Sequence, residues 1–184
     1  MKWRLAVSSV LLALAVPAQA ELVDRIVSVV GDDVVTLTEL GRETELSARD
    51  VSPLPPFEDQ EDVLGLYEDY RVILAQLADA SFYRPERRVL DARLQSFRDS
   101  FVPSSEYLAF KERWGASEAT LETLFSNRLV AEAYIAREVG LRVKRGAGEP
   151  ESLWRERYEE AYQAFITPLR DEVGVRRIEQ RGEP

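Results

Sequence analysis

The side chains able to do chemistry in this chain are carboxylates, guanidiniums and aromatic rings, because it contains no histidine and no cysteine. Without histidine the commonest general base and metal ligand is missing. Without both, zinc sites, Cys-His nucleophiles and Ser-His-Asp triads cannot be assembled. What remains for acid/base work is carboxylate pairs. Glu156 and the adjacent Glu159-Glu160 are one such set, but neighbours on a helix do not face each other, and no nucleophile motif lies nearby. Glu58-Asp59-Gln60-Glu61-Asp62 resembles a cation site only in charge. It lacks the spaced oxygen ligands of a calcium loop and reads as a solvated first helical turn, where the macrodipole favours acids. Neither a catalytic residue nor a metal or cofactor is expected. The aromatic set Phe97, Phe101, Tyr107, Phe110 and Trp114 points to binding. Taken singly, each ring fits ordinary core packing at helical spacing. As a group astride Pro103, the five are the candidate walls of an apolar groove.

The elements that must position these residues follow from periodicity and punctuation. Two β-branched runs, Ile26–Val30 and Val34–Leu37, flank Gly31-Asp32-Asp33 and predict a tight hairpin. Thr36-x-x-Glu39 matches a capping box, with Thr38 as a competing cap, and opens a helix to about Arg49. Ser52-Pro53-Leu54-Pro55-Pro56 reads as a loop. A long amphipathic helix is expected from Glu58 to about Phe82, with Val63, Leu66, Tyr67, Tyr70, Ile73, Leu74 and Leu77 on one face. Pro85 opens the next helix, whose stripe is Leu90, Leu94, Phe97 and Phe101. A short helix then runs from Ser104 or Ser105 to Trp114 and ends at Gly115. Ser117 begins another, reaching Gly140. After Gly146–Pro150, a helix with Trp154, Tyr158, Tyr162 and Phe165 on one face spans Glu151–Ile166, and Pro168 ends or kinks it. Val173–Ile178 is short and β-branched, a strand.

The expected fold class is mainly α: a multi-helix core with a small sheet built from the N-terminal hairpin and a C-terminal strand. A hairpin alone is marginal in water, and the terminal segment is the only later strand available to complete it.

Met1–Arg4, the apolar Leu5–Val16 and Ala18-Gln19-Ala20 reproduce the three parts of a secretory signal peptide. Cleavage is expected between Ala20 and Glu21, leaving a core over residues 21–178 and a polar tail over 179–184. The apolar run is shorter than the ~20 residues a membrane span requires, so no stable membrane insertion is expected. Subtracting Lys2 and Arg4 from 24 basic residues leaves 22 against 33 acidic ones, a net charge of −11. Such a surface repels phosphate backbones, which argues against nucleic-acid partners. The absence of cysteine excludes a disulfide framework. A chain of this size can bury ~70% of its unfolded surface and stand on its core alone.

The stretch Val23-Asp24-Arg25-Ile26-Val27-Ser28-Val29-Val30-Gly31-Asp32-Asp33-Val34-Val35-Thr36-Leu37-Thr38-Glu39-Leu40 resembles the start of mature SurA-type periplasmic chaperones. Gly31 stands where that family usually has Asn, and Ser28 where Ala is common. The helical layout that follows, including Trp154-x-x-x-Tyr158-x-x-x-Tyr162-x-x-Phe165, suits the family's core domain. The resemblance implies periplasmic localisation and ATP-independent binding of unfolded outer-membrane polypeptides. It also implies no isomerase activity, because no segment long enough for the parvulin prolyl-isomerase module follows. Two alternatives stand beside it: a non-catalytic assembly partner dedicated to one client, and a secreted hydrolase using carboxylates alone. The sequence leaves the oligomeric state open.

Overall fold

The computed structural model describes residues 24–50, 63–77 and 80–178. The signal-peptide reading with its Ala20/Glu21 junction, the acidic run 58–62 and the polar tail lie outside those residues. In chain order the elements are β1 (Ile26–Val30), β2 (Asp33–Thr36), α1 (Leu37–Ser47), α2 (Val63–Gln76), a 3-10 turn (Ala80–Tyr83), α3 (Arg87–Asp99), α4 (Ser105–Arg113), α5 (Glu118–Gly140), α6 (Glu151–Val173) and β3 (Val175–Arg177).

The hairpin closes through Gly31 and Asp32, with Val30 opposite Asp33. Gly31 has φ of 61°, at the first loop position where a two-residue hairpin turn calls for glycine. Thr36 then caps α1. Its Oγ1 accepts from Glu39 N at 3.3 Å, and its own N donates to Glu39 Oε2 at 3.0 Å. The capping box is therefore complete, and Thr38 instead donates its backbone N–H to Asp24 Oδ1 at 3.1 Å.

The sheet is antiparallel, in the order β2-β1-β3. The end of the chain pairs with its beginning, Val30 opposite Val175 and Ser28 opposite Arg177. Gly31 N donates to Gly174 O at 3.2 Å and Ile178 N to Val27 O at 2.9 Å. The mainly helical fold with a small sheet from the two ends is thus as expected.

Three boundaries differ from the sequence reading. The single helix expected over 58–82 is instead α2 followed by a separate 3-10 turn. There Tyr83 leaves the helical path to stack edge-on against Tyr134, 5.2 Å between centroids. α6 continues through Pro168 to Val173. The proline forfeits one helical bond, but the residues beyond it stay docked: Leu169 and Val173 pack on the core, and Arg170 donates to Gly65 O at 2.8 Å. β3 is shortened to three residues as a result. The other helices begin and end within a few residues of expectation. α4 ends in a Schellman arrangement, with Gly115 at φ 56° and Ala116 N donating to Lys111 O at 2.9 Å.

Two apolar clusters form the core. One lies under the sheet and joins Val27, Val30 and Val35 to Ile73, Ile135, Tyr162 and Ile166. The other packs α1, α3, α4 and α5 around Leu46, Leu94, Phe97, Phe110, Leu121 and Phe125. α5 runs through both.

Ending the chain at Gly174 removes β3 and the Arg177 bonds to Glu68, a carboxylate with no exposed surface. The expected loss is about 2–4 kcal/mol, from several net backbone bonds and a charge-assisted one. Thermal melting and hydrogen exchange at the β1 amides read it. Unaltered melting would remove any energetic role for the pairing of the chain's ends.

Candidate functional site

The fold does bring the five aromatic candidates together, although not as the walls of an open trough. Phe97, Phe101 and Phe110 are 1%, 3% and 0% exposed. Phe97 sits edge-on to Phe101 at 5.1 Å, to Phe110 at 5.4 Å and to Tyr107 at 6.3 Å. Tyr107 and Trp114 are partly buried at the edge of the same cluster. The reason is geometric: α4 folds back over α3 after Pro103 and turns the apolar stripes of both helices toward each other. Trp114 completes the seal on α1. Its indole lies so close to Gly41 that a Cβ there would stand 2.5 Å from Trp114 Cη2, and its Nε1 donates to Glu45 Oε2 at 2.8 Å. The groove expected from these rings is a closed core, and only the rims of Tyr107 and Trp114 reach solvent.

Tyr107 belongs to a surface knot at the start of α5. Ser117 Oγ accepts from Thr120 N and caps that helix, and the first helical residue is Glu118. Lys111 donates to Glu118 at 2.7 Å, Arg98 at 2.8 Å and the Tyr107 hydroxyl at 3.0 Å. Lys111 first, then Arg98, with Tyr107 adding to them, hold the Glu118 carboxyl at about 2 against an ordinary 4.5. A depressed folded-state pKa stabilises the fold fully above about 4.5, and that stabilisation is lost as pH falls toward 2. Glu118→Gln is therefore expected to melt below the parent at neutral pH, with the gap closing across that acid window. Melting curves over the range check it, and a pH-independent gap would contradict it.

Between the two apolar clusters lies a layer of buried charge that the sequence reading did not identify. Arg128 of α5 donates to Glu43 Oε2 at 2.6 Å, to Ser47 Oγ at 2.8 Å and to Asp50 Oδ2 at 3.2 Å. Arg93 of α3 grips Asp50 through two nitrogens and reaches Glu132 at 3.2 Å. Burial works against the charge on Arg128, yet the carboxylates outweigh it and hold the guanidinium above its ordinary range. A signal was present. The buried face of α5 reads Leu121, Phe125, Arg128, Glu132, Ile135, Val139, a helical stripe with two charges in its middle. A second buried knot ties Asp69 to Tyr162 at 2.5 Å and to Arg170, and Glu68 to Arg177 at 3.0 Å. Burial raises the Asp69 carboxyl despite these partners. These networks hold helices in register; each carboxylate named is already bonded.

The charge layer opens at one side into a cavity of about 430 Å³ between β2, α1, α2 and α5. Tyr67, Tyr70, Leu74, Ala75 and Leu124 give it an apolar wall, and Arg42, Arg71, Arg128, Asp33, Glu39 and Glu43 a charged one. That size lies within the range of small-molecule sites. Among the described residues no group of three or more metal-ligating side chains is gathered. Glu156 and Glu160 stand exposed on α6, and Glu159 accepts from Gln163 at 2.9 Å. No helix among the described residues is long and apolar enough to cross a membrane.

In comparisons with known proteins, no family model matches the chain, and neither a curated protein nor a solved structure matches it.

Proposed function

We propose that this protein holds unfolded outer-membrane polypeptides in the periplasm, without ATP and without bond chemistry, in the manner of a SurA-type core. The observation that carries the reading is the segment from residue 23 to residue 40. Its resemblance to the start of that family is matched by a hairpin, a complete capping box and a helix in the corresponding order. With Phe97, Phe101 and Phe110 sealed in the core, client contact is assigned to the cavity between α1, α2 and α5, where Tyr67, Leu74 and Leu124 are partly buried. Binding the unfolded state lowers the free concentration of aggregating chains by mass action, and the net charge of −9 over the whole sequence favours a dispersed complex.

The test is light scattering of an unfolded outer-membrane barrel diluted into buffer without nucleotide. Suppression is expected near stoichiometric ratio, and Ala75→Trp, which fills the cavity from an exposed position, is expected to weaken it. Unchanged scattering at several-fold excess would overturn the general chaperone reading. One observation favours a second reading, a partner dedicated to one client: the cavity wall alternates arginine and acid, which selects among ligands more sharply than an apolar trough does.

A further inference from the structure

The charged wall of the cavity holds three arginines and three carboxylates, and two of the arginines take all three acids. Arg71 lies 3.1 Å from Asp33 and 3.8 Å from Glu39. Arg128 takes Glu43 at 2.6 Å. The second oxygen of Glu39 accepts the Thr36 amide in the capping box. Arg42 is left over. Among the described residues it has no hydrogen bond or ion pair, and its Nε is enclosed away from solvent with nothing to donate to. A guanidinium held partly out of water without a partner is costly, and its planar fork suits two parallel bonds to a carboxylate. The same cavity is lined by Tyr67, Leu74 and Leu124, which offer a seat for an apolar group.

We propose that this cavity binds a carboxylate carrying a short apolar group, with Arg42 as the anchor for the carboxylate and Tyr67, Leu74 and Leu124 as the apolar seat. A monovalent carboxylate fits better than phosphate. One unpaired fork neutralises a single charge, whereas a dianion would face Asp33, Glu39 and Glu43 across the same space. The ligand is a free apolar acid or the carboxy-terminus of a polypeptide. The second source deepens the polypeptide-holding reading and rests on it; the site itself does not.

Titration calorimetry on the full chain, with N-acetyl-L-leucine and N-acetyl-L-leucinamide as probes, tests it. The acid is expected to bind, and the neutral amide at least about tenfold more weakly, the difference a charge-assisted bond commonly makes. Arg42→Gln is expected to abolish that preference and Arg42→Lys to keep part of it. Both variants should melt close to the parent, because Arg42 has no partner among the described residues to lose. Equal binding of acid and amide, no binding of either, or a preference that survives Arg42→Gln would overturn the site. A leucine-ended peptide, free or amidated at its carboxy-terminus, separates the sources. Preference for the free form supports the site with a polypeptide end as its ligand. Binding of the small acid alone also supports the site, and counts against polypeptide holding there. Acid binding combined with unchanged client scattering would leave the site standing and the chaperone reading fallen.

Discussion

Arg128→Met is expected to cost about 3–5 kcal/mol and to lower the melting midpoint by roughly 10 °C, the largest effect of any single charge change in this fold. The side chain is 8% exposed and binds Glu43 and Asp50, each with 2% of its side chain exposed. Methionine fills much of the same volume, so packing is largely kept while two carboxylates lose their closest cation. Asp50 keeps Arg93; Glu43 is left with no other cation among the bonds described. The penalty therefore comes from stranded buried charge, and it has a diagnostic partner. Replacing Glu43 by Leu in the same chain is expected to recover a large part of the loss, since a well-packed apolar pair often equals a buried ion pair. Chemical denaturation of the two single variants and the double variant measures the coupling. If Arg128→Met unfolds within a degree or two of the parent, the charge layer contributes nothing to stability.

Phe97→Ala is expected to cost about 3–5 kcal/mol through the cavity it leaves. The ring meets Phe101, Tyr107, Phe110 and Phe125, so its removal unpacks the helix carrying it from α4 and α5 together. Phe97→Leu keeps much of the volume and should cost less. Tyr107→Phe should cost little, because the lost hydroxyl bond to Glu118 lies at the surface. The order of the three midpoints in urea is the check. A Phe97→Ala variant as stable as Tyr107→Phe would mean that the rings close over a loosely filled interior.

The contrast between these sites shows what can be read from the chain. The hairpin was legible because Gly31-Asp32 interrupts two β-branched runs, and Thr36 and Glu39 stand at capping distance. The terminal strand was legible by elimination, since a lone hairpin demanded a partner. Of the two readings of Pro168, an end or a kink, the end fails: the docking of Leu169, Arg170 and Val173, which no local pattern reports, offsets the proline's cost. The aromatic set was found, but its state was not. Periodicity says which rings share a face, and only the path of the chain after Pro103 says what covers that face. Arg42 was beyond sequence reasoning altogether. Its distinction is that it has no partner among the described residues, because Arg71 and Arg128 already occupy the neighbouring acids.

The central strand β1 has a timing consequence. Its neighbour on one side follows immediately in the chain, while the bond from Ser28 to Arg176 spans 148 positions. A ribosome adding about 5–20 residues each second needs on the order of ten to thirty seconds to deliver the far neighbour. Throughout that interval one flank of β1 has no mate from its own chain and presents bare amides and carbonyls. The sheet cannot be completed from its front end, so the nascent form stays incomplete until β3 has been made.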